Sequence, residues 1–228
     1  MKLRYLITGV VILATVFTLC SCSKKAETAK EKTEVTIDNV ITILEDQGYI
    51  KGNTGVNQMG REDGVKTYVL TDNVEDLNWF LKFNYFLGNK LNADDMSSLL
   101  VANISDGEKQ NRNSYNLYVI EFNDDDIAAS EYDYVKRYWS DVVKRYDQIE
   151  LTADGINKDY DADNEYVAVA QFTASNDLHT EVYGLLCDNN IIVFYTVSCV
   201  GDDYEKYVDN ADEICEELGI KKPGSLFE

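Results

Sequence analysis

Apolar and polar residues along this chain fall into blocks whose period changes from one block to the next. Between positions 35 and 47, Val35, Ile37, Val40, Ile41 and Leu44 recur at helical spacing, and Gly48 stands just past the end, where a left-handed residue closes a helix. Positions 51–64 are rich in Gly and Asn and read as loop; the run 65–71 predicts a strand. Segment 72–87 carries two signals. Asp72-Asn73, with Glu75 and Asp76 in the first turn and Gly88 at the stop, has the composition of a capped helix. Yet Trp79, Leu81, Phe83, Tyr85 and Leu87 alternate as they would on a strand. The capping residues favour the helix.

The apolar runs 98–104 and 115–122 flank a polar stretch and predict an antiparallel hairpin with a long connection. Positions 124–146 give the strongest helical pattern. Ala128, Tyr132, Val135, Tyr138, Trp139, Val142 and Tyr146 form one stripe, and Asp124, Asp125 and Asp126 complement the positive end of the helix dipole. A polar loop at 159–165 is expected next, then strands at 166–173, 181–187 and 191–199. The last two are joined by Asp188-Asn189-Asn190, residue types that tolerate positive φ. Asp202 or Asp203 opens a closing helix with the face Tyr207, Val208, Ala211, Ile214, Cys215 and Leu218, ended by Gly219 and Pro223. Strands follow one another without crossover helices. The expected class is therefore α+β: an antiparallel sheet with helices packed on one face. A faint echo of two related units, 34–150 and 151–228, each strands followed by a helix, has no residue-level repeat behind it.

Ahead of this domain, Met1-Lys2-Leu3-Arg4 makes a basic start and positions 5–19 are almost purely apolar, the charged and hydrophobic regions of an export signal. The run is shorter than the roughly 20 residues a membrane-spanning helix needs. At its end, Leu19-Cys20-Ser21-Cys22 resembles the lipobox of bacterial lipoproteins: an aliphatic residue at −3, a small one at −1, then cysteine. Cys20 fits that pattern worse, because Leu19 would then occupy the small position. The resemblance implies a signal peptide of residues 1–21, cleavage before Cys22, and a diacylglyceryl thioether on Cys22. Two acyl chains suffice for stable anchoring. The competing reading is an uncleaved signal anchor with two incidental cysteines. Residues 22–33 are polar and charged, which predicts a flexible tether, with Lys24 and Lys25 placed to meet anionic headgroups. One extracytoplasmic domain, 34–228, follows.

Composition narrows the function classes. The chain carries 21 basic and 41 acidic residues; without Lys2 and Arg4 the mature form has 19 against 41, a net charge of −22. Such a surface repels nucleic acid, and no basic stripe interrupts it. Three cysteines remain after Cys22: Cys187, Cys199 and Cys215. The odd count leaves at least one unpaired within the chain. Cys199 and Cys215 are the plausible pair in an oxidising compartment, but Cys215 lies in an apolar stripe, so buried free thiols are favoured.

Candidate chemistry is sparse. Asp159, Asp161, Asp163 and Glu165 alternate carboxylates as at the opening of a calcium loop. An EF-hand would need Gly where Asn164 stands and Glu where Ala170 stands. An acidic surface loop is the plainer reading. His179, the single histidine, is expected exposed in a polar turn beside Asp177, and no HExxH, GxSxG or Gly-rich phosphate loop occurs. Trp139 is expected in the core, Trp79 is ambiguous, and Tyr134 points off the helix stripe toward the surface. The sequence ranks three functions: a non-catalytic module contacting a protein or cell-wall partner, then a lipoprotein binding a small molecule, sugar or calcium, then an envelope hydrolase built on two facing carboxylates. A pocket with aromatic rings and convergent polar groups would favour the second.

Overall fold

The central strands of this domain are apolar on both sides over most of their length, and that fact organises the fold. In the computed structural model, which describes residues 35–52, 55–56, 64–84, 86–88, 90–106, 113–146 and 155–228, eight strands form one sheet. In chain order the elements are α1 (Ile37–Asp46), β1 (Ile50–Lys51), β2 (Thr67–Thr71), α2 (Val74–Phe83), β3 (Met96–Ser105), β4 (Ser114–Phe122), α3 (Asp125–Tyr146), β5 (Ile156–Ala162), β6 (Glu165–Ala174), β7 (Asp177–Asp188), β8 (Ile191–Val200) and α4 (Tyr204–Leu218). Short 3₁₀ turns precede β3 and follow α4. The strand order is β1-β2-β3-β4-β8-β7-β6-β5. Only β1–β2 is parallel; the other pairs are antiparallel. The α+β class is as expected.

Side chains alternate across a strand, so each strand contributes to two layers. On β4, Tyr115, Leu117 and Val119 enter one core, with α1 and α4; Ile120 and Phe122 enter the other, with α2 and α3. On β8, Val193, Tyr195 and Val197 face the first, Ile192 and Phe194 the second. Helices therefore cover both faces of the sheet, not one face as the element order suggested. The physical reason is the near-continuous apolar character of β3, β4 and β8, which leaves no side that water can wet.

Local chemistry sets the helix ends. The Thr36 hydroxyl accepts the Asn39 N–H at 3.2 Å at the start of α1, and Asn73 Oδ1 accepts the Glu75 N–H at 2.8 Å at the start of α2. Asp124 Oδ1 accepts from Asp126 N at 2.8 Å at the start of α3, and Gly219, at φ 70°, closes α4. The segment with two signals is thus a helix, ending at Phe83, earlier than its pattern implied. Trp139 is 2% exposed, packed on Phe86, Tyr183 and Phe194. Tyr134 is half-buried against the same core, not turned to the surface.

Candidate functional site

An extended polar patch interrupts the apolar central strands. On the face that carries α2 and α3, two successive cross-strand rows are polar. In the first, register pairs Thr67 with Asn103, Asn103 with Asn116, Asn116 with Thr196, and Thr196 with Tyr183. In the second, Ser105 pairs with Ser114, Ser114 with Ser198, and Ser198 with Glu181. The next rows toward the other end are apolar again: Tyr118 opposite Phe194, then Ile120 opposite Ile192. Asn103 and Ser105 are buried, while Ser114, Asn116, Thr196, Ser198, Glu181 and Tyr183 are half-buried. The result is a polar floor in an apolar face.

Its hydrogen bonds are directional. Asn103 Nδ2 donates to Asn116 Oδ1 at 2.6 Å and to the Tyr115 carbonyl at 3.3 Å; Asn116 Nδ2 donates to Ser114 Oγ at 3.3 Å. Ser198 Oγ donates to Glu181 Oε1 at 2.9 Å. Asn103 Oδ1 is buried and accepts from no described group. A buried carbonyl without a donor costs about 1–3 kcal/mol, so this one is an acceptor in want of a partner.

Glu181 is the chemical centre of the floor. Burial pushes its carboxyl up to about 7, with hydrogen bonds from Ser198 and Tyr183 holding the shift back in part. Aromatic rings border it. The Tyr146 hydroxyl, at the end of α3, lies 3.3 Å from that of Tyr183. Tyr146 stacks on Phe172 at 4.8 Å, and Phe172 on His179 at 5.2 Å. Burial, then the nearby Glu181 charge, keeps the Tyr183 phenol above its usual range.

The residues singled out in the sequence go elsewhere or take other roles. Asp159, Asp161, Asp163 and Glu165 do not lie in a loop: β5 and β6 form a hairpin there, with only the turn at Asp163 and Asn164 irregular. Alternation sends Asp159 and Asp161 to the face of α3, where Asp161 pairs with Lys136 at 2.5 Å. Glu165 lies on the opposite face and accepts the Lys221 N–H. The four carboxylates are not brought together, and among the described residues no cluster of metal-ligating side chains occurs. His179 is not in the turn, which is Ser175-Asn176 with φ of 56° and 72°; it stands half-buried on β7 at the edge of the floor. Cys187, Cys199 and Cys215 are free thiols, pushed up by burial to about 11, about 12 and about 12, which leaves them unreactive at neutral pH. Cys22 lies outside the described residues.

A concavity of about 560 Å³ opens on the other face at the opposite end of the sheet. Thr36, Asp38, Ser98, Glu121 and Asp188 are among its walls. Its polar groups are engaged with each other: Ser98 Oγ donates to Glu121 at 2.9 Å, and Asp188 accepts the Val35 N–H at 3.2 Å. The floor was missed from sequence because Asn116, Thr196 and Ser198 sit singly between apolar residues in runs read as core strands, while Ser114 was read as part of the polar connection before Tyr115. Their alternation was the signal; register alone shows that they adjoin. Set against known proteins, the chain matches no family model and no curated sequence.

Proposed function

We propose that this chain is a membrane-anchored extracytoplasmic binding protein that captures a small polar ligand on the floor between β3 and β7. The observation that carries the reading is the pair of polar rows shared by β3, β4, β8 and β7, on a face where the next rows of β3, β4 and β8 are apolar. Burying a polar group costs free energy unless it is hydrogen-bonded, and Asn103 Oδ1 in this floor accepts from no described group. Here the polar side chains converge beside aromatic rings, the composition of small-molecule sites. This feature favours ligand capture over a flat protein-contact surface. The exposed large apolar side chains, Ile50, Leu70, Val74, Phe83 and Tyr160, come from four different elements.

Anchoring rests on the lipobox resemblance at Cys22. Among the described residues no helix is long and apolar enough to cross a membrane. Cys22→Ser is expected to move the protein from the membrane fraction to the soluble one; unchanged retention would count against the lipid anchor.

The binding reading is tested on the full chain in detergent micelles, by thermal melts against amines, amino acids, sugars, cell-wall fragments and calcium. A ligand at a hundredfold excess over its Kd stabilises the native state by about 2.7 kcal/mol, a shift of several degrees. The shift should vanish in Asn116→Leu and Thr196→Val. A panel that leaves the melt unmoved, or a shift that both variants retain, would remove the floor as the site.

A further inference from the structure

Several donors of the floor are turned inward: Asn103 Nδ2 serves Asn116 and Tyr115, Asn116 Nδ2 serves Ser114, and the Ser198 hydroxyl serves Glu181. Two acceptors stand out: Asn103 Oδ1, in a buried side chain and accepting from no described group, and the Glu181 carboxylate, which accepts from Ser198 and Tyr183 and has lone pairs to spare. A ligand group seated against these two acceptors must bring donors. Charge points the same way. Across the two rows Glu181 is the one acidic side chain, and none is Lys or Arg. An anionic ligand would set like charge against a half-buried carboxylate, and a neutral one would leave that charge uncompensated. Resting on the binding function above, we propose that the ligand is an organic cation: an amine whose ammonium group seats against the Glu181 carboxylate beside the rings of Tyr146 and Tyr183, with the body of the molecule running across β8 and β4 toward Asn103.

An ammonium group carries donors and no acceptor, and it gains further from aromatic faces near a desolvated site. From β7 to β3 is three strand spacings, roughly 14 Å at about 4.8 Å each, so one ammonium cannot reach both ends. A second amino group on an elongated chain can. The net charge of −20 draws such cations to the surface.

The cation competes with a proton for Glu181. The titratable groups that face this carboxylate are His179 and Tyr183 on its own strand and Tyr146 on α3; β6 and β8 present Ala170, Phe172, Thr196 and Ser198. Cys199 on β8 lies within electrostatic range. With Glu181 at about 7, affinity should rise about tenfold from pH 6 to pH 8 as the carboxyl ionises.

Calorimetric titration of the full chain in detergent micelles tests this, with spermidine as the amine and the neutral disaccharide N,N′-diacetylchitobiose as comparison, in about 0.15 M salt to screen surface attraction. The expected result is spermidine binding that gains about tenfold from pH 6 to pH 8 and falls at least tenfold in Glu181→Gln, a variant of nearly the same shape. Tyr183→Phe, expected to weaken binding less, is the second variant should Glu181→Gln fail to fold. Spermidine binding that is unchanged in Glu181→Gln marks general attraction to an acidic surface and overturns the proposal. Diacetylchitobiose binding at the floor without spermidine binding overturns the amine class while leaving the ligand-site reading in place. Binding of neither overturns both.

Discussion

Glu181 has a consequence for stability that is independent of any ligand. Its carboxyl titrates at about 7 in the folded chain, raised from 4.5 by burial. The folded state thus holds the proton more tightly than the unfolded chain does. The resulting stabilisation is present in full below about 4.5 and is lost as pH rises through about 7. Glu181→Gln, which mimics the protonated form, should therefore raise stability over wild type at pH 8 by about 2 kcal/mol more than at pH 5. Urea melts at the two values check it; an equal effect at both would mean that the carboxyl titrates normally. At Gly184 the constraint is steric. A Cβ there would stand 1.9 Å from the Tyr195 ring, its register partner on β8. Gly184→Ala should cost about 1–3 kcal/mol, read as a lower urea midpoint at unchanged slope. Tyr195→Leu in the same chain should recover part of that loss, since the two positions share one contact. Neither residue declared its role in the sequence: Glu181 is one of 41 acidic residues and Gly184 one of 13 glycines, and only cross-strand register selects them.

Among the elements, the helices were the more legible because their signals are local. Caps, stripe and stop lie within one segment, and α1, α3 and α4 begin and end close to where those signals place them. On α2 the cap decided between helix and strand. Asn73→Ala should accordingly cost about 1 kcal/mol in the thermal or urea melt, and an effect near zero would mean that packing of Leu77 and Phe80 alone holds the helix. Strand β5 shows the opposite case. Its sequence, Ile156-Asn-Lys-Asp-Tyr-Asp-Ala162, is charged because it lies at the sheet edge, where charged side chains guard unpaired backbone groups. From sequence that looks like loop. The Lys136–Asp161 pair across to α3 has side chains 24% and 55% exposed and should contribute little; Lys136→Ala is expected to change stability by under about 1 kcal/mol.

At the scale of the molecule, β4 and β8 meet at the centre of the sheet in register from Ser114 opposite Ser198 to Glu121 opposite Ile191. The helices that follow these two strands, α3 and α4, lie on opposite faces. Buried Asn210 Nδ2 on α4 donates to the Tyr49 hydroxyl, just past α1, at 2.7 Å, closing one layer; α3 over β6 and β7 closes the other. Opening should therefore be costliest at the centre. Native-state hydrogen exchange is expected to show β4 and β8 as the slowest amides and the edge strands β1 and β5 as the fastest. Amides of β5 as protected as those of β8 would contradict this layering.

What the sequence determined by itself is whatever depends on neighbours in the chain: the helices and their caps, the hairpin turn at Asn189, most strands, the α+β class, and the expectation of an anchor at Cys22. Tertiary structure decided three things: that helices cover both faces, that the charged segment before Tyr166 pairs as a strand, and that Asn103, Asn116, Thr196, Ser198 and Glu181 form one floor. Each depends on register between strands far apart in the chain. A pattern of period two says that a side chain lies on one face, but not which strands will stand beside it.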